Sequence, residues 1–530
     1  MRAQTPAGPG IGRIGWPLAF AATAGLLVWV HLSGLAQAPP GLYADEASAG
    51  YNGWAVMHFG VDQHGVHWPL YFKAFGEYRN PVYVYSVGLA SLLLPLSPTV
   101  ARLPAAFYSL VICLGVTLAV WFLTRDRAAT LVTLITVGLM PWVMSLGRVA
   151  FSVVSMVAFL SLALFCLVRA LEGRRGWWLA AGAALAVSVL AYSTGRLFGG
   201  LLGVAIVVGV ASTGLRRWWR GLLLMVVPLV AVYGGLVIWS EHHPGALLVR
   251  YRSISIGWDS PQLGTLVARF VGNYVQYFGV PFLFTHGDTD LRQNIGFGGM
   301  LAVATLPALA AGLIVCLRRW REPLFRALLL GLLAAPVPAA LTATASPDAL
   351  RSAEMLPFLA ILIGVGWAEI LPILRSHRSW AGALAAVAAI EVGAYLFTLF
   401  AVWPGESYYW FDVGEGAAIA RAHTLAHGHE VLLSTSLDVP YIQALFWLRP
   451  NPARYAREGL RILHMDVAGP AGLARAAPGD LMVLSPQDPV PAGSRLLFTE
   501  SYPVHVVSYQ AGQPPEQVVP LVVVYRRIRG

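Results

Sequence analysis

The stretch between residues 41 and 85 places acidic side chains between two strongly apolar runs. Asp45 and Glu46 come about ten residues after the first run ends, and Glu77 almost directly precedes the second. A carboxylate in such a position can act as a general base, bind a metal ion or cap a helix. Arg79 offers Glu77 an ion-pair partner, and Asp45 can N-cap the helix that follows, so structural roles stay open beside the chemical ones.

A second loop with chemical potential is "FTHGDTDLRQNIGFGG", residues 284–299. His286 and Asp288 are metal-ligand types, and the guanidinium of Arg292 suits a phosphate. Two ligands in one loop do not complete a metal site, so a further ligand such as Glu77 must come from elsewhere. An ordinary solvated loop is the alternative interpretation.

Three further arginines stand in short turns between apolar runs. "PWVMSLGRVAF" contains Arg148, "AYSTGRLFGG" contains Arg196, and "SPDALRSAEMLPF" contains Arg351. Guanidinium groups bind phosphate oxygens through paired hydrogen bonds, which makes these three residues candidates for an anion site. For Arg351, the neighbouring acids Asp348 and Glu354 supply an ion-pair alternative.

The composition indicates what must position these residues. Of 530 residues, 57% are hydrophobic and only 12% are charged, and the mean hydropathy is +0.64. Soluble domains carry about 25% charged residues, so the sequence predicts a mainly α-helical, polytopic membrane protein. Apolar segments of spanning or nearly spanning length fall near residues 14–35, 81–97, 103–123, 128–146, 150–168, 177–192, 197–212, 220–240, 299–317, 325–343, 355–373 and 380–403.

Arginine clusters predict the topology, because cytoplasmic loops are enriched in Lys and Arg. Residues 241–298 and 404–530 then lie on the outer side, whereas Arg2 and Arg13 place the N-terminus inside. Twelve segments contradict that combination, so one is miscounted, the true number is 11 or 13, and 81–123 is the weakest region. The clusters are Arg125/Arg127, Arg169/Arg174/Arg175, Arg216/Arg217/Arg220, Arg318/Arg319/Arg321 and Arg375/Arg378.

Two domains are expected. Residues 1–403 form a membrane domain with outer loops at 37–80 and 241–298, and residues 404–530 form a small outer α/β domain. Short strands are predicted in the second domain at "EVLLSTS", "DLMVLSP", "RLLFTESYPV" and "QVVPLVVVYRRI".

The net charge of +10 does not indicate a nucleic-acid partner. Residues 404–530 contain ten arginines against eleven acidic residues, so the excess belongs to the membrane part, where topology explains it. The sequence has no Walker A motif and no dinucleotide-binding glycine fingerprint, so no nucleotide cofactor is expected.

Five motifs together resemble a known group of enzymes. "ADEASAGYN", "EYRNPVYVY", "PWVMSLGRVAF", "YSTGRL" and "HGDTDLRQN" are similar to bacterial membrane glycosyltransferases of the C-type (GT-C) fold. Relatives of the dolichyl-phosphate-mannose protein mannosyltransferases and of the lipid A aminoarabinose transferase are the nearest. The resemblance covers roughly residues 15–400.

The resemblance implies an inverting transfer of a sugar from a polyprenyl-phosphate carrier to an acceptor hydroxyl. This reaction occurs on the outer face of the bacterial cytoplasmic membrane. Asp45 is then the base that acts on the acceptor, and Glu46 supports it. The arginines hold the donor phosphate, which makes Arg148, Arg196, Arg292 and Arg351 the expected phosphate-binding residues.

The resemblance also implies a divalent metal ion. In the lipid A transferase, a Glu at the end of the first outer loop and a later His hold a metal, and Glu77 and His286 match them by position. A Lys follows that Glu in the transferase, whereas Tyr78 follows Glu77 here. Asp288 belongs to the same loop as His286.

A transporter or lipid flippase of envelope glycan precursors is the alternative function. Transporters usually carry ionisable residues within their helices, often where helices are interrupted, whereas here the charges gather in outer loops. The sequence names neither the sugar, a hexose or a pentose, nor the acceptor, which is a lipid, a glycan or a protein.

Overall fold

The computed structural model describes residues 14–212, 214–257, 262–343, 347–505 and 516–528. Arg2 and Arg13, on which the orientation of the N-terminus depends, lie outside these residues. The chain consists of a helical membrane part followed by a small α/β region, as the sequence predicts.

The membrane part contains eighteen α-helices and one short hairpin within the described residues. The helices are α1 Gly15–Leu32, α2 Ala44–Phe59, α3 Pro81–Leu93, α4 Pro98–Thr124, α5 Arg127–Gly138, α6 Pro141–Leu146, α7 Ser152–Leu171, α8 Gly176–Ala191, α9 Ser193–Ala211, α10 Leu215–His242, α11 Val249–Ile254, α12 Leu263–Gln276, α13 Leu306–Arg318, α14 Pro323–Ala334, α15 Val337–Ala340, α16 Met355–Ser376, α17 Arg378–Phe397 and α18 Trp403–Ser407. The hairpin pairs β1 Phe72–Ala74 with β2 Glu77–Arg79.

Helix length and composition confirm a polytopic membrane protein. In the described part of the chain, eight helices are long and apolar enough to cross a membrane, and four shorter apolar helices accompany them. These twelve coincide with the twelve apolar segments of the sequence.

The predicted arginine clusters gather at one end of the bundle, which we call the arginine-rich face. Arg125, after α4, pairs with Glu172, after α7, at 2.7 Å. The side chain of Arg326 in α14 donates to the hydroxyl of Ser212, after α9. Turns that are distant in sequence therefore meet at the same end of the bundle.

Helix α3 does not span the bundle, and this resolves the inconsistent helix count. Its 13 residues lie between the β1–β2 hairpin and the start of α4. Arg102, near the start of α4, donates to the carbonyl oxygens of Leu35 and Pro39, just beyond the end of α1. Because α4 thus starts at the end opposite the arginine-rich face, α3 lies at that end, and eleven helices of alternating direction remain among the described residues.

The C-terminal region is a five-stranded sheet with helices against it. Strand order is β4-β3-β5-β7-β6, with β4, β3 and β5 parallel and β7 and β6 antiparallel. The four predicted strands are present, whereas β4 was missed because its four residues include a charged one. The elements are α19 Glu415–Ala426, β3 Val431–Ser434, α20 Pro440–Leu448, α21 Pro452–Glu458, β4 Met465–Ala468, α22 Pro470–Leu473, β5 Leu481–Leu484, β6 Ser494–His505 and β7 Glu516–Arg527.

The C-terminal region is joined to the membrane part through α2. The amide of Gln443 in α20 donates to the carbonyl oxygen of Leu42 at 2.6 Å, and the Tyr51 hydroxyl donates to that of Pro450 at 2.9 Å. A Cβ on Gly50 would approach the Phe446 ring to 2.4 Å, so only glycine lets α20 pack this closely on α2. The C-terminal region therefore contacts the helix that carries Asp45 both just before its start and along its length.

Candidate active site

Residues 37–80 fold so that Asp45 faces a cavity at the start of α2. The N-cap of α2 is Tyr43 and no side chain caps the helix, so the interpretation of Asp45 as an N-cap is wrong. Asp45 lies in the first turn, where the helix dipole favours a negative charge. Its side chain remains 38% exposed, which leaves it accessible from the cavity.

Arg79 holds the carboxylate of Asp45 in place. Its two terminal nitrogens donate to Oδ1 at 2.7 Å and to Oδ2 at 3.1 Å. The hairpin of β1 and β2 presents Arg79, with Phe75 and Gly76 as turn residues of positive φ, a turn that Gly adopts readily. The expected pairing of Arg79 with Glu77 is therefore wrong.

Glu46 does not share the cavity with Asp45, which corrects its assignment as a catalytic residue. Successive helical residues point about 100° apart, and Glu46 is completely buried. Its carboxylate accepts two bonds from Arg102, at 2.6 and 2.8 Å, and one from the backbone N–H of Ala150 at 2.9 Å. The pair fastens α2 to α4 and to the start of α7.

A polar cavity of about 250 Å³ opens beside Asp45. It lies at the end of the bundle opposite the arginine-rich face, between the hairpin, the first turns of α2, α7 and α9, and three later loops. The charged side chains that line it are Asp45, Glu77, Asp290 and Asp348, together with Arg79, Arg196, Arg250, Arg292 and Arg351.

Four of the cavity arginines each pair with a cavity carboxylate. Besides Arg79 with Asp45, these pairs are Arg250 with Glu77 at 2.9 Å, Arg292 with Asp290 at 2.8 Å, and Arg351 with Asp348 at 3.3 Å. The ion-pair alternative for Arg351 is thus realised with Asp348. Arg250 belongs to "LVRYRSI" in the loop of residues 241–298, and sequence reasoning missed it because nothing local distinguishes it from Arg252.

Arg196 differs from the other cavity arginines because its partners are neutral. Within the described residues, it donates to the side-chain oxygen of Asn80 at 3.0 Å and to the carbonyl oxygen of Leu247 at 3.2 Å. Its Nε is buried without a partner there. A buried donor that has no protein partner and lines a cavity is available to an acceptor group of a ligand.

Arg148 lies outside the cavity, contrary to its assignment as a phosphate-binding residue. It is 1% exposed and donates to the carbonyl oxygens of Val30 (2.9 Å) and Ser33. The last carbonyl groups of a helix lack intrahelical partners, so Arg148 caps the C-terminal end of α1. Its guanidinium also stacks 4.8 Å from the ring centre of Phe400.

Asp288 holds two of the cavity loops together without lining the cavity. Its Oδ2 accepts from the backbone N–H of Ala349 at 2.7 Å, and its Oδ1 from that of Asp290 at 2.9 Å. Burial raises the pKa of this carboxyl to about 7. Asp288 therefore positions the loops that carry Arg292 and Arg351.

The predicted metal ligands are not assembled. Glu77 lines the cavity and is bound by Arg250, whereas His286 is exposed outside it and contacts the Thr285 hydroxyl at 2.8 Å. Among the described residues, no three His, Cys, Asp or Glu side chains form a metal-binding group. These residues do not fit a bound ion, so no chemical step is assigned to one.

An apolar groove of about 410 Å³ continues from the polar cavity. It runs between α9, α10 and α15, and side chains such as Leu197, Leu236 and Leu341 line it. Arg196 and Arg250 line both spaces, as does Arg351. Sequence reasoning missed this groove, because apolar residues that face it look like any lipid-facing residues.

Comparison with solved structures finds this architecture in membrane enzymes. ArnT from Cupriavidus metallidurans bound to undecaprenyl phosphate is 15% identical, with 98% of this chain and 99% of that chain covered and a TM-score of 0.57. Its apo form is 14% identical over 97% and 98% of the two chains, with a TM-score of 0.54.

A more distant likeness is to the oligosaccharyltransferase of Archaeoglobus fulgidus in its apo form. It is 11% identical, with 89% of this chain and 70% of that chain covered and a TM-score of 0.50. No protein-family model and no curated protein matches the sequence. At these identities the likeness establishes the fold.

Proposed function

We propose that this chain, which has the C-type glycosyltransferase fold, transfers a sugar from a polyprenyl-phosphate carrier to an acceptor hydroxyl. The observation that carries the proposal is the junction between cavity and groove. Arg196, Arg250 and Arg351 stand where a polar space that contains Asp45 meets an apolar one. A donor with a long apolar chain, a phosphate and a sugar matches that order of environments.

The donor would bind with its chain in the groove and its phosphate at the three arginines. Guanidinium groups bind phosphate oxygens through parallel N–H bonds, and the unpartnered Nε of Arg196 supplies a donor without breaking an existing bond. The sugar would then occupy the cavity on the side of Asp45. This arrangement leaves the acceptor to approach the anomeric carbon from the side opposite the phosphate.

Asp45 would act as the general base. The acceptor hydroxyl gives its proton to the carboxylate as its oxygen bonds to the anomeric carbon, and the bond from that carbon to the phosphate oxygen breaks. The electron pair leaves with the polyprenyl phosphate, whose growing negative charge the arginines stabilise. Attack opposite the leaving group inverts the anomeric centre, and Arg79 keeps the carboxylate oriented throughout.

The reaction would take place on the outer face of a bacterial cytoplasmic membrane, if the arginine-rich face is cytoplasmic as the positive-inside rule predicts. The acceptor would be a lipid, a glycan or a protein hydroxyl. The transporter alternative has less support, because the charged residues form one cavity at a single end of the bundle.

The experiment uses membranes with the full chain and a panel of radiolabelled polyprenyl-phosphate hexoses and pentoses. We expect the wild type to move label from one donor into a second product. Asp45→Asn should lose about 10²–10⁴-fold in rate, and the exposed control Glu241→Gln should match the wild type. A chelator arm tests the metal, with no effect expected.

Two results would overturn the proposal. One is transfer by Asp45→Asn at the wild-type rate. The other is movement of intact labelled donor across sealed vesicles without any transfer, which would indicate a flippase.

A further inference from the structure

A second apolar groove, of about 700 Å³, lies between α5, α16 and α17. Ile135, Trp367, Leu371 and Leu384 are among its lining residues, and no lining residue belongs to the polar cavity or to the first groove. We call it the α16–α17 groove. It is a separate site.

The groove is open because α17 packs closely only near its far end. Tyr395 is the one buried residue of α17, and its hydroxyl donates to the carbonyl oxygen of Pro141 at 3.1 Å. Towards the arginine-rich face, α17 presents small side chains to the groove, Ala381, Ala385 and Ala388. The two consecutive helices therefore leave a space that their own side chains do not fill.

Positive charge is concentrated at the end of the groove on the arginine-rich face. Arg375 in the last turn of α16 and Arg378 at the first position of α17 both line it. Both are exposed, and within the described ranges neither has a hydrogen bond or an ion pair. No acidic side chain lines the groove among those residues.

The start of α17 adds a second anion-binding feature at the same place. Its N-cap, His377, makes no side-chain bond to the first turn. The first backbone N–H groups of a helix point outward and favour a negative charge. Two free guanidinium groups thus flank a free helix N-terminus above an apolar space.

We propose that the α16–α17 groove binds an anionic phospholipid from the leaflet at the arginine-rich face. Its phosphate would lie between Arg375 and Arg378, and its acyl chains would fill the groove. From Arg378 to Val392, the last lining residue of α17, the helix rises about 21 Å, which exceeds the ~15 Å of one hydrocarbon leaflet. The groove is therefore long enough for acyl chains.

This lipid would not be the proposed sugar donor. The arginines of the first groove stand near the start of α16, with Arg351 four residues before it, whereas Arg375 is at its end. The 22 residues of α16 separate the two positions by about 33 Å, which places them at opposite surfaces of the bilayer. The inference therefore does not depend on the proposed function.

The test measures lipid binding to the purified full chain by native mass spectrometry, with added phosphatidylglycerol or phosphatidylcholine. We expect a phosphatidylglycerol adduct that survives detergent activation and a weaker phosphatidylcholine adduct. R375Q/R378Q should weaken phosphatidylglycerol binding on the order of tenfold, because each basic group near an anionic lipid contributes to its attraction.

Two matched controls separate this site from general charge and general hydrophobicity. Arg174 and Arg175 are exposed arginines of another turn at the same face and line none of the grooves described above, so R174Q/R175Q should retain the adduct. Ala385→Trp, which fills the groove, should abolish it, whereas Ala386→Trp on an exposed side of the same helix should not. Equal binding of both lipids by the wild type would overturn the proposal, as would unchanged binding by R375Q/R378Q.

Discussion

At the scale of single residues, adjacent positions of one motif have unrelated roles. Asp45 faces the cavity, whereas Glu46 is buried against Arg102. The sequence predicts both as functional acids, because nothing local reveals which one finds an arginine 56 residues later. For the same reason Arg148 and Arg196 look alike in sequence, although one closes a helix and the other lines the cavity.

Arg196→Gln should lower kcat/KM for the donor by about 10²–10³-fold, the usual effect of removing one donor to a developing anion. The assay is label transfer from the donor identified in the panel. Arg461→Gln, at an exposed position of the C-terminal region, serves as the matched control. A wild-type kcat/KM in a folded Arg196→Gln enzyme would contradict a role at the phosphate.

Glu46→Gln should lower stability by about 3–5 kcal/mol, because removing one member of a buried ion pair leaves the other uncompensated. The measurement is thermal unfolding in detergent, followed by transfer activity per folded molecule at low temperature. We expect a lower midpoint with activity retained. An unchanged midpoint with lost activity would instead indicate a direct role of Glu46 in the reaction.

At the scale of elements, apolar periodicity and turn residues predict which segments are helices, and the twelve segments agree with the structure. Which of them span the bilayer depends on tertiary contacts. Helix α3 is apolar enough to count as a span, yet Arg102 fixes the start of α4 beside the end of α1. The sequence predicted the cavity only in part for the same reason. Arg250 and the residues that line the first groove come from segments that are distant in sequence.

The position of α3 predicts the accessibility of the turn before α4. In a chain with Thr99→Cys, an impermeant maleimide should label from the same side as Lys73→Cys, and Arg174→Cys should react from the opposite side. All three positions are exposed. The native cysteines, Cys113, Cys166 and Cys316, are buried and give a low background. Labelling of Thr99→Cys from the same side as Arg174→Cys would show that α3 crosses the membrane and would contradict this prediction.

At the scale of the whole molecule, the C-terminal region supports the helix that carries the proposed base. Asp412, just before α19, has a carboxyl near the backbone N–H of Ala44 at the start of α2. Burial raises the pKa of Asp412 and that of nearby Glu415, each with one carboxylate oxygen unpartnered in the described structure. The folded state is therefore most stable when these two carboxyl groups are protonated.

The expected consequence is a pH-dependent stability. A carboxyl whose folded-state pKa is raised holds its proton more tightly in the native state, so its stabilising contribution is present at low pH. That contribution is lost as pH rises from about 4 through the raised folded-state values. The midpoint temperature of thermal unfolding should decrease as the pH is raised from 5 to 9. In Asp412→Asn/Glu415→Gln, this dependence of the midpoint on pH should be weaker. The exposed control Asp466→Asn should keep the wild-type slope, and an unaltered slope in the double variant would contradict the assignment.

The pairing of four cavity arginines with four cavity carboxylates has a consequence for selectivity. The cavity supplies its own counter-ions, so a small free anion gains little by entering it and must compete with the acids that already pair with the arginines. Only a ligand that also buries a long hydrocarbon obtains enough free energy to rearrange these pairs. Buffer sulfate or inorganic phosphate should therefore be poor inhibitors of the proposed reaction, and the polyprenyl phosphate that this reaction would release should be a strong one.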